Sequence, residues 1–395
     1  MGRTEGRVEK SEAETVDSFR RELREWLSDN LAGPYAGLVG LGGPGREHEA
    51  FPERLAWDRH LAASGWTCLG WPVEHGGREL PVMHQVVFHE EYARAGAPAR
   101  VGHIGEELLG PTLIAFGTDA QRTRFLPPIA GVDELWCQGY SEPGAGSDLA
   151  AVSTSAELDG EEWVVDGQKV WTSLAHLADW AFVVARTEKG SSRHAGLSYL
   201  LVPMKQDGVT VRPITQLTGT SEFNEVFFDG ARTPRDFVVG EPGRGWTIAM
   251  KTLGFERGVS TLGQQVGFAR ELDGIVAVAR RNGSIDDPLI RDRLTRAWIG
   301  LKAMRAYALS TLGGTGSNGE DSVSKLLWAN WHRGLGELAM EVVGAPSMSA
   351  TDGELDEWQR LYLFTRADTI YGGSNEIQRN IISERVLGLP REARP

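Results

Sequence analysis

Apolar residues recur along this chain in two rhythms, and the change from one to the other outlines its organisation. Val16, Phe19, Leu23, Trp26 and Leu27 share one face of a helix, with Ser11 and Glu14 spaced as a capping box ahead of them. Leu31–Gly45 carries six Gly and two Pro and reads as a connection. Helical pattern returns over Pro52–Ser64 and Val82–Ala95, with a turn-like GWPVEHGG between them. From about Leu135 the period shortens to that of strands. Asp159-Gly160 and Asp166-Gly167 punctuate β-prone runs as hairpin turns do, and AFVVAR (Ala181–Arg186), LSYLLVP (Leu197–Pro203) and EVFF (Glu225–Phe228) are short apolar strands. This predicts an antiparallel β domain.

Beyond GEPGRGW (Gly240–Trp246) the helical period resumes and persists. It runs through Leu262, Val266, Ala269, Leu272, Val276 and Ala279, then Ile290, Leu294, Ala297, Leu301, Met304 and Ala308. Val323, Leu326, Leu327, Trp331, Leu335, Leu338 and Val342 continue it. Adjacent amphipathic helices of this length predict a bundle.

Composition removes several function classes. A net charge of −13 argues against nucleic acid, whose phosphates need a basic face. The two cysteines, Cys68 and Cys137, lie far apart without CxxC spacing and read as small buried hydrophobes. No apolar run approaches the roughly 20 residues of a membrane span, and the N-terminus has neither a signal-peptide core nor, with Gly6, the myristoylation pattern; a cytoplasmic location is the expectation. The histidines form no HExxH or i,i+4 pair, so no metal site is expected. No Walker loop or GxSxG elbow occurs, and Leu149 and Ile248 stand where a third Rossmann glycine would be. The chemistry therefore falls to a cofactor held by hydroxyls, backbone and aromatics.

Two segments suit that task. Gln138–Asp148, QGYSEPGAGSD, offers two hydroxyls and a run of N–H groups, with Gly144 and Gly146 permitting close approach. By itself it reads equally as a loop entering the β domain. Gly167–Ser173, GQKVWTS, puts a Trp and two hydroxyls on a strand, where a Trp is more often core than a stacking platform.

With YSEPGAGSD (Tyr140–Asp148), DGQKVWTS (Asp166–Ser173), FERG (Phe255–Gly258) and IYGGSNEIQRNIISERVLGLP (Ile370–Pro390) in this order, the chain resembles the acyl-CoA dehydrogenase family from about Val16 to Arg391. The resemblance implies an α+β fold: an N-terminal helical domain (1–134), a middle antiparallel β domain (135–240) and a C-terminal four-helix bundle (241–395). It implies FAD, with Tyr140, Ser141, Trp171, Thr172 and Ser173 at the isoalloxazine, Gln138 also among the cofactor-binding residues, and Ser147 near both FAD and substrate. Arg281, Ser374 and Glu376 match positions that meet a neighbouring subunit's FAD, which implies a dimer or tetramer. Glu341-Val-Val-Gly344-Ala-Pro346, Asp292 and Ser284 depart from the usual neighbour-side pattern. Such departures fit bacterial relatives that form α2β2 tetramers.

The reaction implied is α,β-dehydrogenation of an acyl-CoA or acyl-carrier thioester to the trans-2-enoyl product, with electrons passing to an electron-transferring flavoprotein. A carboxylate takes the α-proton while the β-hydrogen leaves as hydride to flavin N5, and the thioester oxygen must be polarised. Many members carry the base directly after the residue matching Tyr371, where this chain has Gly372. A smaller set, including isovaleryl-CoA and long-chain acyl-CoA dehydrogenases, carries it on a bundle helix at the position of Glu256. The expected base is therefore Glu256, with the backbone N–H of Gly372 on the thioester oxygen and Arg257 at the CoA portion. Read without the family, Glu256 is a solvated acid in a helix's first turn. A flavin monooxygenase or oxidase on the same fold, or a non-catalytic subunit of a heteromeric enzyme, are the alternatives. No motif specifies the acyl chain; the missing side chain at 372 favours a bulky or branched one.

Overall fold

A computed structural model describes residues 5–255, 260–311, 319–350 and 353–391. Helices α1 (Glu5–Asn30), α2 (Phe51–Ala63), α3 (Val82–Ala95), α4 (Gly110–Phe116) and α5 (Asp119–Ala130) come first. Strands follow: β1 (Trp136–Gly139), β2 (Ser155–Asp159), β3 (Glu162–Ser173), β4 (Trp180–Arg186), β5 (Leu197–Pro203), β6 (Val209–Ile214), β7 (Phe223–Pro234) and β8 (Val238–Val239). Helices α6 (Gly245–Phe255), α7 (Ser260–Asn282), α8 (Pro288–Thr311), α9 (Glu320–Val343), α10 (Glu357–Thr365) and α11 (Asn375–Ile381) close the chain. Among the described residues no helix is long and apolar enough to cross a membrane.

The chain divides into two compact units. One holds α2, α4, α5, the sheet and α6; the other holds most of α1, α3 and the helices from α7 onward. In the first, the strands run in the order β6-β7-β3-β2-β4-β5-β8, with β1 also on β4. The core lies between this sheet and helices α4 to α6, where Phe182 and Tyr199 stack at 5.6 Å. Helix α6 starts close against the sheet: a Cβ at Gly245 would fall 2.4 Å from the Ser198 carbonyl carbon, so only glycine fits. In the second unit, Phe268, Leu272, Ile275, Leu294, Leu301, Met304, Leu335 and Leu338 form the bundle core. The carboxylates of Glu90 and Glu91 are buried beside it and paired with Arg20, Arg24, Arg94 and Arg305.

Four expectations change, and one stretch without a reading of its own proves helical. Helix α1 begins at Glu5, because the helix formers ahead of Ser11 extend it, so Ser11 and Glu14 lie inside the helix and not at its start. Residues 104–130, where no periodicity stands out, are almost wholly helical: a π turn (Ile104–Leu109) runs into α4, and Thr118 and Gln121 cap α5. Asp159-Gly160 is a hairpin turn, but Asp166-Gly167 is not. Strand β3 runs through it, and Gly167 (φ +149°) absorbs a bulge against β7, where a side chain would strike Thr154. The sheet is mixed, since β1 lies parallel to β4 at Trp136–Gly139 against Trp180–Val183, and β2 meets the same edge at Ser155. Two strands on one edge in the same direction require the intervening segment 140–154 to leave the sheet and return. Lastly, Leu327 of α9 is exposed, while Lys325 and His332 on the same helix are buried.

Candidate active site

The excursion between β1 and β2 is the segment YSEPGAGSD with its flanks. It has no ladder of its own beyond the Glu142–Ala145 bridge, so side chains must hold it. Lys169 on β3 does so. Its buried ammonium donates to the Glu142 carboxylate at 2.8 Å, the Tyr140 carbonyl at 3.1 Å and the Val184 carbonyl at 2.7 Å. Glu142 accepts three more bonds, from Ser153 N and Oγ and from Thr154 N. Burial alone would raise the Glu142 pKa; the adjacent Lys169 charge and these donors overcome it and hold it at about 2. Burial pulls the Lys169 pKa down. The pair staples both ends of the excursion to the sheet.

The Tyr140 ring is not at the surface of this loop. It packs edge-on against Phe182 and Tyr199 in the core. Ser141 accepts from Val170 N, while Ser147 is exposed at the loop's tip.

The β3 side departs from the ladder in turn. Pairing with β7 slips between Lys169 and Thr172, and Trp171 takes a left-handed φ of +61°. A non-glycine residue there costs on the order of 1 kcal/mol or more. Trp171 is 59% exposed, so it is not a core residue, and its ring meets only Phe223 among the described aromatic contacts. Gln138, Trp171 and Ser173 converge with His103, Ile104, Glu107 and Leu108 on a recess of about 160 Å³. Among the described residues, Gln138 Nε2 and Thr172 Oγ1 are buried with no hydrogen-bond partner, a state that folded proteins rarely tolerate. An exposed aromatic, a recess and unspent donors beside it suit a planar, hydrogen-bonding ring such as an isoalloxazine.

In the helical unit, Tyr371–Ser374 forms a tight turn between α10 and α11. Gly372 (φ +60°) and Gly373 (φ +86°) are left-handed, and Gln378 Nε2 donates to both carbonyls. Ser374 caps α11 and Glu376 lies in its first turn, where backbone N–H and the Ser374 hydroxyl lower its pKa. Arg281 is exposed in the last turn of α7. Glu256 and Arg257 lie outside the described residues.

Family models match the acyl-CoA dehydrogenase N-terminal domain at residues 13–133, the middle domain at 137–231 and the C-terminal domain at 243–387. The chain belongs to the acyl-CoA dehydrogenase family. It is 72% identical over 381 residues to acyl-CoA dehydrogenase IpdE1 of Mycobacterium tuberculosis, covering 96% of this chain and 99% of that protein. Identity to IpdE1 of Mycolicibacterium smegmatis is 68% over 389 residues, with 96% and 99% covered. Among solved structures, the Tcur3481-Tcur3483 steroid ACAD superimposes with a TM-score of 0.82 at 30% identity, covering 96% of this chain and 98% of that one. The ChsE4-ChsE5 complex from Mycobacterium tuberculosis gives 0.81 at 30% identity, again with 96% and 98% covered. Members of the family are flavoprotein oxidoreductases, and this chain carries all three family domains.

Periodicity could not flag Lys169, Glu142, His103 or Glu107. The first two lie inside the quoted motifs, yet they pair across 27 residues through strand register, which no local spacing reveals.

Proposed function

We propose that the protein is an FAD-dependent dehydrogenase of a bulky, steroid-derived or similarly branched acyl-CoA thioester. The observation that carries FAD binding is the exposed, left-handed Trp171 beside the unpartnered Gln138 Nε2 and Thr172 Oγ1. Gln138, Trp171, Thr172 and Ser173, with the backbone of Tyr140 and Ser141, would hold the isoalloxazine, and Ser147 would reach cofactor and substrate. Arg281, Ser374 and Glu376 would serve the FAD of a neighbouring subunit. Bound FAD supplies the two-electron acceptor for the β-hydrogen.

This chain's residues govern the proton. Glu256 takes it from the α-carbon, and the Gly372 N–H donates to the thioester oxygen, where negative charge develops as the C–H bond breaks. A backbone donor needs no side chain, so the glycine is compatible with that role. Arg257 would hold the CoA portion. The substrate class is supported by the absent side chain at 372 and by the likeness to a steroid ACAD. The likeness to the ChsE4-ChsE5 complex supports an oligomer, α2β2 or homomeric, and an electron-transferring flavoprotein would be the acceptor.

The test is anaerobic titration of the purified flavoprotein, alone and co-produced with a partner chain, with steroid-derived, branched, straight-chain and carrier-bound thioesters. Bleaching of the flavin by the bulky CoA thioesters is expected. No bleaching by any thioester would overturn the dehydrogenase, and preferential bleaching by a straight-chain thioester would overturn the substrate class.

A further inference from the structure

Helix α9 buries a polar stripe where its pattern promises an apolar one, and this stripe leads to the Gly372 turn. Lys325 is 5% exposed. Its Nζ lies 4.0 Å from the centroid of the Trp328 ring and 4.7 Å from that of Tyr371, and donates to the Asp368 carbonyl at 2.5 Å. A Cβ built on Gly372 would lie 3.6 Å from Lys325 Cε and 4.0 Å from Nζ, so the ammonium stands directly beneath the turn.

Asp368 directs its carboxylate elsewhere. It accepts from the Tyr371 hydroxyl at 2.6 Å and pairs with His332 Nδ1 at 2.7 Å, while His332 Nε2 reaches Glu271 at 2.8 Å. Burial would lower the His332 pKa, but its two carboxylate partners raise it to about 9, so the imidazole is charged and donates to both. The chain Glu271–His332–Asp368 thus anchors the strand of backbone that receives Lys325, and Tyr371 is held from its hydroxyl and from its ring. Replacing buried ionic groups by apolar ones of similar volume is often neutral or stabilising, so a charge retained here invites a functional reading. A cation near the turn has an evident use if the turn meets negative charge.

We infer that Lys325 is a positioning residue for α-proton removal: its ammonium orders the Tyr371–Gly372 turn and lowers the energy of negative charge on the oxygen that the Gly372 N–H receives. The inference rests on the proposed role of Gly372.

The probe is acetoacetyl-CoA, whose α-proton can be lost in the bound state and whose enolate gives a long-wavelength charge-transfer absorbance with oxidised flavin. The holoenzyme, with its partner chain if one is required, is titrated with pH in the presence of this ligand. Lys325→Met should keep its FAD and bind the ligand, but enolate formation should move up by about one to two pH units, a 10- to 100-fold loss of acidity. Lys325→Arg should recover most of the shift, because it restores the charge. If Lys325→Met does not yield folded protein, Lys325→Gln carries the same comparison. A neutral variant with native FAD content whose band titrates at the wild-type pH overturns the inference. Wild-type protein that holds no flavin, or gives no band, overturns the underlying reading of the site and this inference with it, and so differs from failure of the variant alone.

Discussion

Replacing Lys169 by Met tests whether the flavin-side loop is held by one buried cation. Methionine matches the stem of lysine but cannot donate, so three bonds are lost: to Glu142, Tyr140 O and Val184 O. Removing one partner of a buried ion pair typically costs about 3–5 kcal/mol, because the other charge is left without compensation. Glu142 keeps its bonds from Ser153 and Thr154, which places the expected loss near the middle of that range, about 4 kcal/mol. In a unit of this size that is a fall in Tm of roughly 10 °C. The loop of residues 140–148 would loosen with it, and FAD retained through gel filtration should drop. Adding Glu142→Gln should recover about 1–2 kcal/mol relative to Lys169→Met alone, since the stranded charge is then gone; denaturant melts of the four proteins of the cycle measure this coupling. A Lys169→Met protein that loses less than about 1 kcal/mol and retains FAD like the wild type would show that the loop is held some other way.

Glu256→Gln should keep bound FAD and lose flavin reduction by roughly 10³-fold, within the range of general acid–base contributions, as read by anaerobic stopped-flow with the best thioester; normal reduction would remove Glu256 from the mechanism. Trp171→Gly should leave stability within about 1 kcal/mol, because an exposed ring is lost and a left-handed strain relieved, while FAD affinity falls at least about tenfold; equal affinity by fluorescence titration would refute a stacking role. His332, with its pKa raised from 6.5 to about 9, contributes stability that is fully present below pH 6.5 and lost as pH rises through about 9. Urea melts of wild type should therefore weaken by up to about 3 kcal/mol across that window, and His332→Gln should abolish the slope.

The order of helix, strand and helix, the strands β4 and β5 and the faces of α8 were legible in the sequence, because each depends on residues two to four positions apart. Leu294, Leu301, Met304 and Ala308 are buried as their spacing predicts. The family was legible too, since four motifs in one order carry it. What local spacing could not reach was decided by partners far away in the chain. Asp166-Gly167 has the chemistry of a turn and becomes a bulge because β7 pairs with both flanks of it. Trp171 has the composition of a core strand residue and stands exposed because a register slip turns its backbone left-handed. Lys169 needs Glu142 from an excursion 27 residues earlier, and Lys325 and His332 can sit on a buried helix face because Glu271 arrives from α7 and Asp368 and Tyr371 from the turn between α10 and α11. A buried charge costs several kcal/mol unless compensated, so whether such a side chain faces inward is set by the partners that tertiary folding supplies and not by its place in a period.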